Sequence, residues 1–130
     1  MTYLEYKKLI EFGLDEYKII NEYCKKIGIA WTASVWDVPS AKFMMENFKN
    51  EIPFIKIPSA CNLNKELADY FNTYHPDMPL IISIGMINMD EFKSMISFNM
   101  WHNLYAIFLC NSSYPAKDDE LDLNMINTLY

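Results

Sequence analysis

One ammonium group stands inside a strand-like apolar run, Phe54-Ile55-Lys56-Ile57-Pro58-Ser59. Burying an unpaired ammonium strips its hydration, so such a lysine either meets an anion or snorkels to water. Pro58 lacks an N–H and stops a ladder, and Ser59 adds a hydroxyl beside the ammonium. The pattern recurs at the ends of three other apolar runs. Ser34, with Asp37 close behind, ends Ile29 to Ala33; Ser83 follows Pro79 to Ile82; Asn111, Ser112 and Tyr114 follow Leu104 to Cys110. One lysine among several hydroxyls is a cradle for a phosphate or a carboxylate. Serine and asparagine also favour loops for backbone reasons alone, so any single position carries little weight.

Other reactive residue types are poorly placed. His75 precedes Pro76 in a turn, and His102 precedes a strand, so both sit at the opposite strand ends and neither has a partner at metal-ligand spacing. Cys61 is near the cradle and is a candidate reactive thiol, whereas Cys110 ends an apolar run and reads as core. Three cysteines, widely spaced, fit neither a disulfide framework nor a zinc site and point to a reducing cytoplasm.

The elements that must position these groups alternate. A helix spans about 15–27, capped by Asp15 and closed by Gly28, after a shorter helix within 3–12. Four strands are expected, at 29–34, 53–57, 79–84 and 104–110, each mostly apolar as in a sheet covered on both faces. Between them lie helices at 41–48, from Asn62 or Asn64 to Tyr74, and after Asn88; a last helical stretch runs from Asp122 to Tyr130. Val35 to Ser40 reads as a loop. Repeated βα units mean a parallel sheet with right-handed crossovers. A doubly wound sheet and part of a (β/α)8 barrel both fit, but with three glycines in the chain there is no glycine-rich phosphate loop for a dinucleotide fold. In a barrel, the four polar strand ends are where working residues gather.

Composition closes other routes. The 130 residues carry a net charge of −6, with eleven lysines and no arginine, which disfavours a nucleic-acid surface. No apolar run reaches the ~20 residues of a membrane span, and Glu5 with its neighbouring lysines interrupts any signal-peptide core.

Four segments together resemble the N-acetylneuraminate (sialic acid) synthase family: Ser34-Val35-Trp36-Asp37, Lys56-Ile57-Pro58-Ser59, Ser83-Ile84-Gly85-Met86, and Cys110-Asn111-Ser112-Ser113-Tyr114-Pro115. They stand in the family's order and at one-strand spacing, and the likeness extends over nearly the whole chain. It covers the middle of the family's catalytic barrel, so the expected fold is α/β with parallel βα repeats, a half TIM barrel of about four strands forming one domain over 1–130. The resemblance implies condensation of phosphoenolpyruvate with N-acetylmannosamine or a related amino sugar, assisted by a divalent metal, manganese or magnesium. Carried over by position, Lys56 and Ser59 hold the phosphoenolpyruvate anion, Ser83 its phosphate and Ser34 its carboxylate end, while Ser112 and Tyr114 face the sugar. The chain departs from the family at Val35, Cys61, Ile84 and Leu109, where a proline, an acidic residue, a threonine and a histidine are usual. The family's metal-binding histidines belong to later strands, so the isolated chain is expected to be inactive.

Two other readings follow from the same residues. A non-catalytic remnant would keep the fold and bind a partner chain, and a Schiff-base aldolase would use Lys56 as nucleophile. A half-barrel also leaves two open strand edges and a bare inner face, so self-association or pairing with a complementary fragment is expected.

Overall fold

In the computed structural model, residues 1–129 are described, and they form two compact units, 1–31 and 32 onward. The first holds α1 (Tyr3–Ile10) and α2 (Leu14–Ile27). Thr2 and Glu5 cap α1 reciprocally. At α2 the cap is Gly13 rather than the expected Asp15: the Glu16 carboxylate accepts the Gly13 N–H at 2.9 Å, a bond that a capping Asp15 would forgo. Gly28 ends the helix as expected, at φ 70°, a left-handed conformation that glycine adopts without a Cβ penalty.

The second unit carries α3 (Val38–Phe48), β1 (Ile55–Ile57), α4 (Lys65–Tyr74), β2 (Leu80–Ser83), α5 (Met89–Ser97), β3 (Leu104–Phe108) and α6 (Met125–Leu129). The fold is α/β, with a three-stranded parallel sheet ordered β1-β2-β3, as in the chain. Helix α3 starts earlier than expected because Asp37 accepts the Ser40 N–H at 2.8 Å and Pro39 suits the first turn. Asn64 and Asn88 cap α4 and α5. The last helical stretch begins at Met125, and its expected end at Tyr130 lies outside the described residues.

The expected first strand, 29–34, is not a strand. Trp31 is held by its own unit, stacked 5.9 Å from Tyr17 and donating to the Asn21 side chain at 2.8 Å. What remains is one parallel bridge, Ser34 with Lys56, made by Lys56 N–H to Ala33 at 3.3 Å and Val35 N–H to Lys56 at 3.1 Å. Indole stacking on the helix thus leaves only the end of the segment to align beside β1.

The core fills one face of the sheet and reaches the other at Ile81 and Ser83. Ile55, Ile57, Leu80 and Ile82 are fully buried, with Ala41, Met44 and Phe48 of α3 and Leu67 and Phe71 of α4 also buried. Each such aliphatic side chain contributes about 1.5–3 kcal/mol by leaving water. Among the described residues no helix is long and apolar enough to cross a membrane.

Candidate functional site

Side chains alternate along a strand, and partners in a parallel ladder project to the same side. Because Ile55 and Ile57 face the helices, Lys56 faces the other way. Its ladder partners are Ser34 and Ile81, and Ser83 lies two residues beyond Ile81. Ser34, Lys56 and Ser83 therefore share the face opposite Ile55 and Ile57, where Ala106 and Phe108 continue the register. Ser83 ends β2, and Lys56 pairs with Ile81, two residues before that end.

Their surroundings differ. Ser34 is exposed and Lys56 is half-buried. Ser83 is 1% exposed, and its Oγ has no hydrogen-bond partner among the described residues. A buried hydroxyl left unpaired costs about 1–3 kcal/mol, so this oxygen is set for a partner that the described residues do not supply.

Gly85 joins the loops after β1, β2 and β3. Its N–H donates to Ser59 Oγ at 3.1 Å, and its carbonyl accepts from Ser112 Oγ at 2.7 Å. A Cβ on Gly85 would stand 2.7 Å from the Cys110 carbonyl oxygen, so only glycine lets these segments approach. The two bonds leave different chemistry. Ser59 is used as an acceptor and keeps its own hydrogen to donate, as an anion requires. Ser112 spends its hydrogen on Gly85 and offers lone pairs, which suit a hydroxyl rather than an anion. Tyr114 is fully exposed and follows Ser112 in the same loop, before a cis Tyr114–Pro115 bond.

The remaining candidates stand apart from chemistry. Asp37 is spent capping α3. Asn111 braces its own loop, accepting from Ser113 N–H at 2.7 Å and donating to the Glu120 carbonyl at 2.9 Å. Cys61 is buried and donates to the Trp36 carbonyl at 3.2 Å. Burial, and then the Asp37 carboxylate, push its thiol above the ordinary value, which disfavours the reactive thiolate. His75 closes α4 and pairs with the Tyr70 hydroxyl at 2.9 Å. Among the described residues no three His, Cys, Asp or Glu side chains are grouped to hold a metal ion, so the residues present do not fit the divalent metal.

Two residues are more important than their sequence signal indicated. In the sequence Asn62 competes with Asn64 as a helix cap, and Trp101 carries no signal of its own. Asn62 Nδ2 donates to the Ser83 carbonyl at 3.1 Å, and Trp101 Nε1 donates to the Asn62 carbonyl at 2.9 Å. A second polar asparagine beside a strand end was the one available hint.

Comparison with known proteins agrees with these segments. The chain is 33% identical over 127 residues to N-acetylneuraminate-9-phosphate synthase of Mus musculus, covering 97% of this chain and 34% of that protein. It is 25% identical over 134 residues to N,N'-diacetyllegionaminic acid synthase of Legionella pneumophila, covering 98% of this chain and 36% of that protein. Among solved structures, the N-acetylneuraminic acid (sialic acid) synthetase of Leptospira borgpetersenii, in complex with citrate, superposes with a TM-score of 0.74 at 26% identity, over 92% of this chain and 40% of that one. The chain thus spans about a third of the length of the curated relatives it matches. With residues 1–130 matching the NeuB family throughout, the chain belongs to the NeuB family.

Proposed function

We propose that this chain is part of the catalytic barrel domain of a cytoplasmic sialic acid synthase-like enzyme, which condenses phosphoenolpyruvate with N-acetylmannosamine or a related amino sugar. One observation carries this reading: by the ladder register Lys56 and the buried Ser83, whose hydroxyl has no partner among the described residues, belong to one sheet face. Lys56, Ser59 and Ser83 hold the phosphate end, and Ser34 the carboxylate end. Ser112, as an acceptor, and Tyr114, on the open side, face the sugar. The chain is also similar to a synthetase solved in complex with citrate, itself a polyanion. A divalent metal, manganese or magnesium, as the resemblance implies, would draw its ligands from other segments of the enzyme, since the described residues form no such group.

The test is phosphoenolpyruvate binding by the purified chain, followed by amide NMR. Shifts at Lys56, Ser83 and Gly85 that saturate with ligand, and vanish in Lys56→Met while the fold persists, uphold the site. Saturating shifts that survive Lys56→Met overturn it. The isolated chain should form no detectable sialic acid from phosphoenolpyruvate and N-acetylmannosamine with manganese present; turnover in a coupled phosphate-release assay would show that the catalytic groups are all present.

A second reading, a partner-binding half-barrel, is favoured by β3. Tyr105 is 76% and Phe108 47% exposed on the last strand of the sheet, an open edge that pairs readily with another chain. Self-association, or pairing with a complementary fragment, is the form this takes. Light scattering behind a size-exclusion column at micromolar concentration decides: a sharp monomer peak with no binding of a hydrophobic dye removes this reading.

A further inference from the structure

Ser83 can offer its hydroxyl to a ligand only if the end of β2 is held still, and the chain has a dedicated brace for it. Asn62 is 2% exposed and Trp101 2% exposed, so neither side chain has water to bond. Buried amide and indole groups of this kind need partners, and here each donates to a backbone carbonyl, the indole to that of Asn62 and the Asn62 side chain to that of Ser83. Trp101, just before β3, donates its indole N–H to the Asn62 carbonyl at 2.9 Å. Asn62, just after β1, donates its side-chain N–H to the Ser83 carbonyl at 3.1 Å. The bonds run from the start of β3, through the loop after β1, to the end of β2. Ser83 itself is not consumed by them: its carbonyl is tied, and its Oγ stays unpartnered among the described residues.

We infer that Asn62, backed by Trp101, is a positioning residue that fixes the end of β2 so that the Ser83 hydroxyl is presented to an anion. This rests on the anion-binding reading above and names residues that reading does not use. An asparagine is suited to the task. Its side chain donates to a carbonyl without bringing a charge, whereas a carboxylate there would repel both the Ser83 carbonyl and the incoming anion.

The experiment uses the full chain, 15N-labelled, with phosphoenolpyruvate as probe, and two readouts: affinity from amide shifts, and exchange rates of the Ile84 and Gly85 amides. Loss of one buried hydrogen bond predicts that Asn62→Ala weakens binding about tenfold, with faster exchange at both amides. Trp101→Phe keeps the ring packing and removes only the indole donor; a loss of about threefold, a fraction of the same bond's worth, is expected, and it provides the answer if Asn62→Ala fails to fold. In a Ser83→Ala background, Asn62→Ala should weaken binding no further. Full additivity of the two substitutions overturns the inference, because Asn62 would then act independently of Ser83. Should the unaltered chain bind no phosphoenolpyruvate, the anion reading falls on its own. The brace is then judged by exchange alone: accelerated Ile84 and Gly85 amides in Trp101→Phe or Asn62→Ala uphold it, and unchanged rates overturn it.

Discussion

β2 and β3 lie side by side and point the same way, yet one is dry and the other is wet. All four residues of β2 are buried, whereas in β3 Tyr105 and Phe108 are exposed and the rest are half-buried. The sequences Leu80-Ile81-Ile82-Ser83 and Leu104-Tyr105-Ala106-Ile107-Phe108 are similarly apolar. The difference is neighbourhood: β2 is paired on both sides, by β1 and β3, and β3 on one. The ladder between them also slips, from Leu80 opposite Leu104 to Ile81 opposite Ala106, leaving Tyr105 as a bulged residue. A strand's burial is thus conferred by what flanks it.

The contrast predicts unequal responses to truncation. Ile82→Ala empties a fully buried position and should cost about 2–5 kcal/mol in urea unfolding. Phe108→Ala, on the half-open face, should cost well under that, about 1 kcal/mol or less. Equal costs would mean that β3 is covered in solution, by another copy or another segment.

Next in size is Gly85→Ala, where the loops after β2 and β3 touch. The new Cβ meets the Cys110 carbonyl oxygen at 2.7 Å, backbone that cannot simply rotate away, and the Ser112 side-chain Oγ at 2.9 Å. A loss of about 1–3 kcal/mol is expected from overpacking of this kind, with the Ser112 bond to Gly85 broken. An unaffected melting curve would show that the rim of β3 moves freely against β2.

The smallest effect lies at the opposite ends of the same two strands. Asn103 donates to the His75 carbonyl at 3.2 Å and also to the Met78 carbonyl, and its own carbonyl accepts the Leu80 N–H at 3.0 Å. Burial, and then the Lys49 ammonium, push the His75 pKa below its ordinary value. The folded state therefore binds a proton less readily than the unfolded chain. Its stabilising contribution is full above the unfolded pKa of about 6.5 and declines as pH falls through that value toward the depressed one. Thermal unfolding followed from pH 7.5 to 5.5 should show a modest decline that His75→Gln removes. A decline of the same size in the variant would assign it to the carboxylates instead.

How far the sequence could be read follows the range of each interaction. Asn64 and Asn88 cap their helices through bonds reaching three residues ahead, and the pattern Ile55-Lys56-Ile57 puts lysine and isoleucines on opposite faces whatever the surroundings. Where local signals competed, reading was harder: Gly13 and Asp15 both resemble caps, and Glu16 selects the first. Residues 29–34 have a strand's composition, but the partners that hold Trp31 are on a helix.

What the sequence determined by itself is the alternation of helices with the three strands of the sheet, the caps at Asn64, Asn88 and Gly28, the projection of Lys56 opposite its flanking isoleucines, and the four polar segments that mark the family. These depend on neighbours two to four residues away. Tertiary structure alone decided that Ser34 and Ser83 share the face of Lys56, that Ser59 and Ser112 are engaged by Gly85 while Ser83 is left unpartnered, and that β3 stays open. Those outcomes rest on a ladder register and on bonds spanning 21 to 39 residues, such as Asn62 to Ser83 and Trp101 to Asn62. Such contacts form only when the sheet is assembled, because closing loops of that length is favourable only once the buried faces have met.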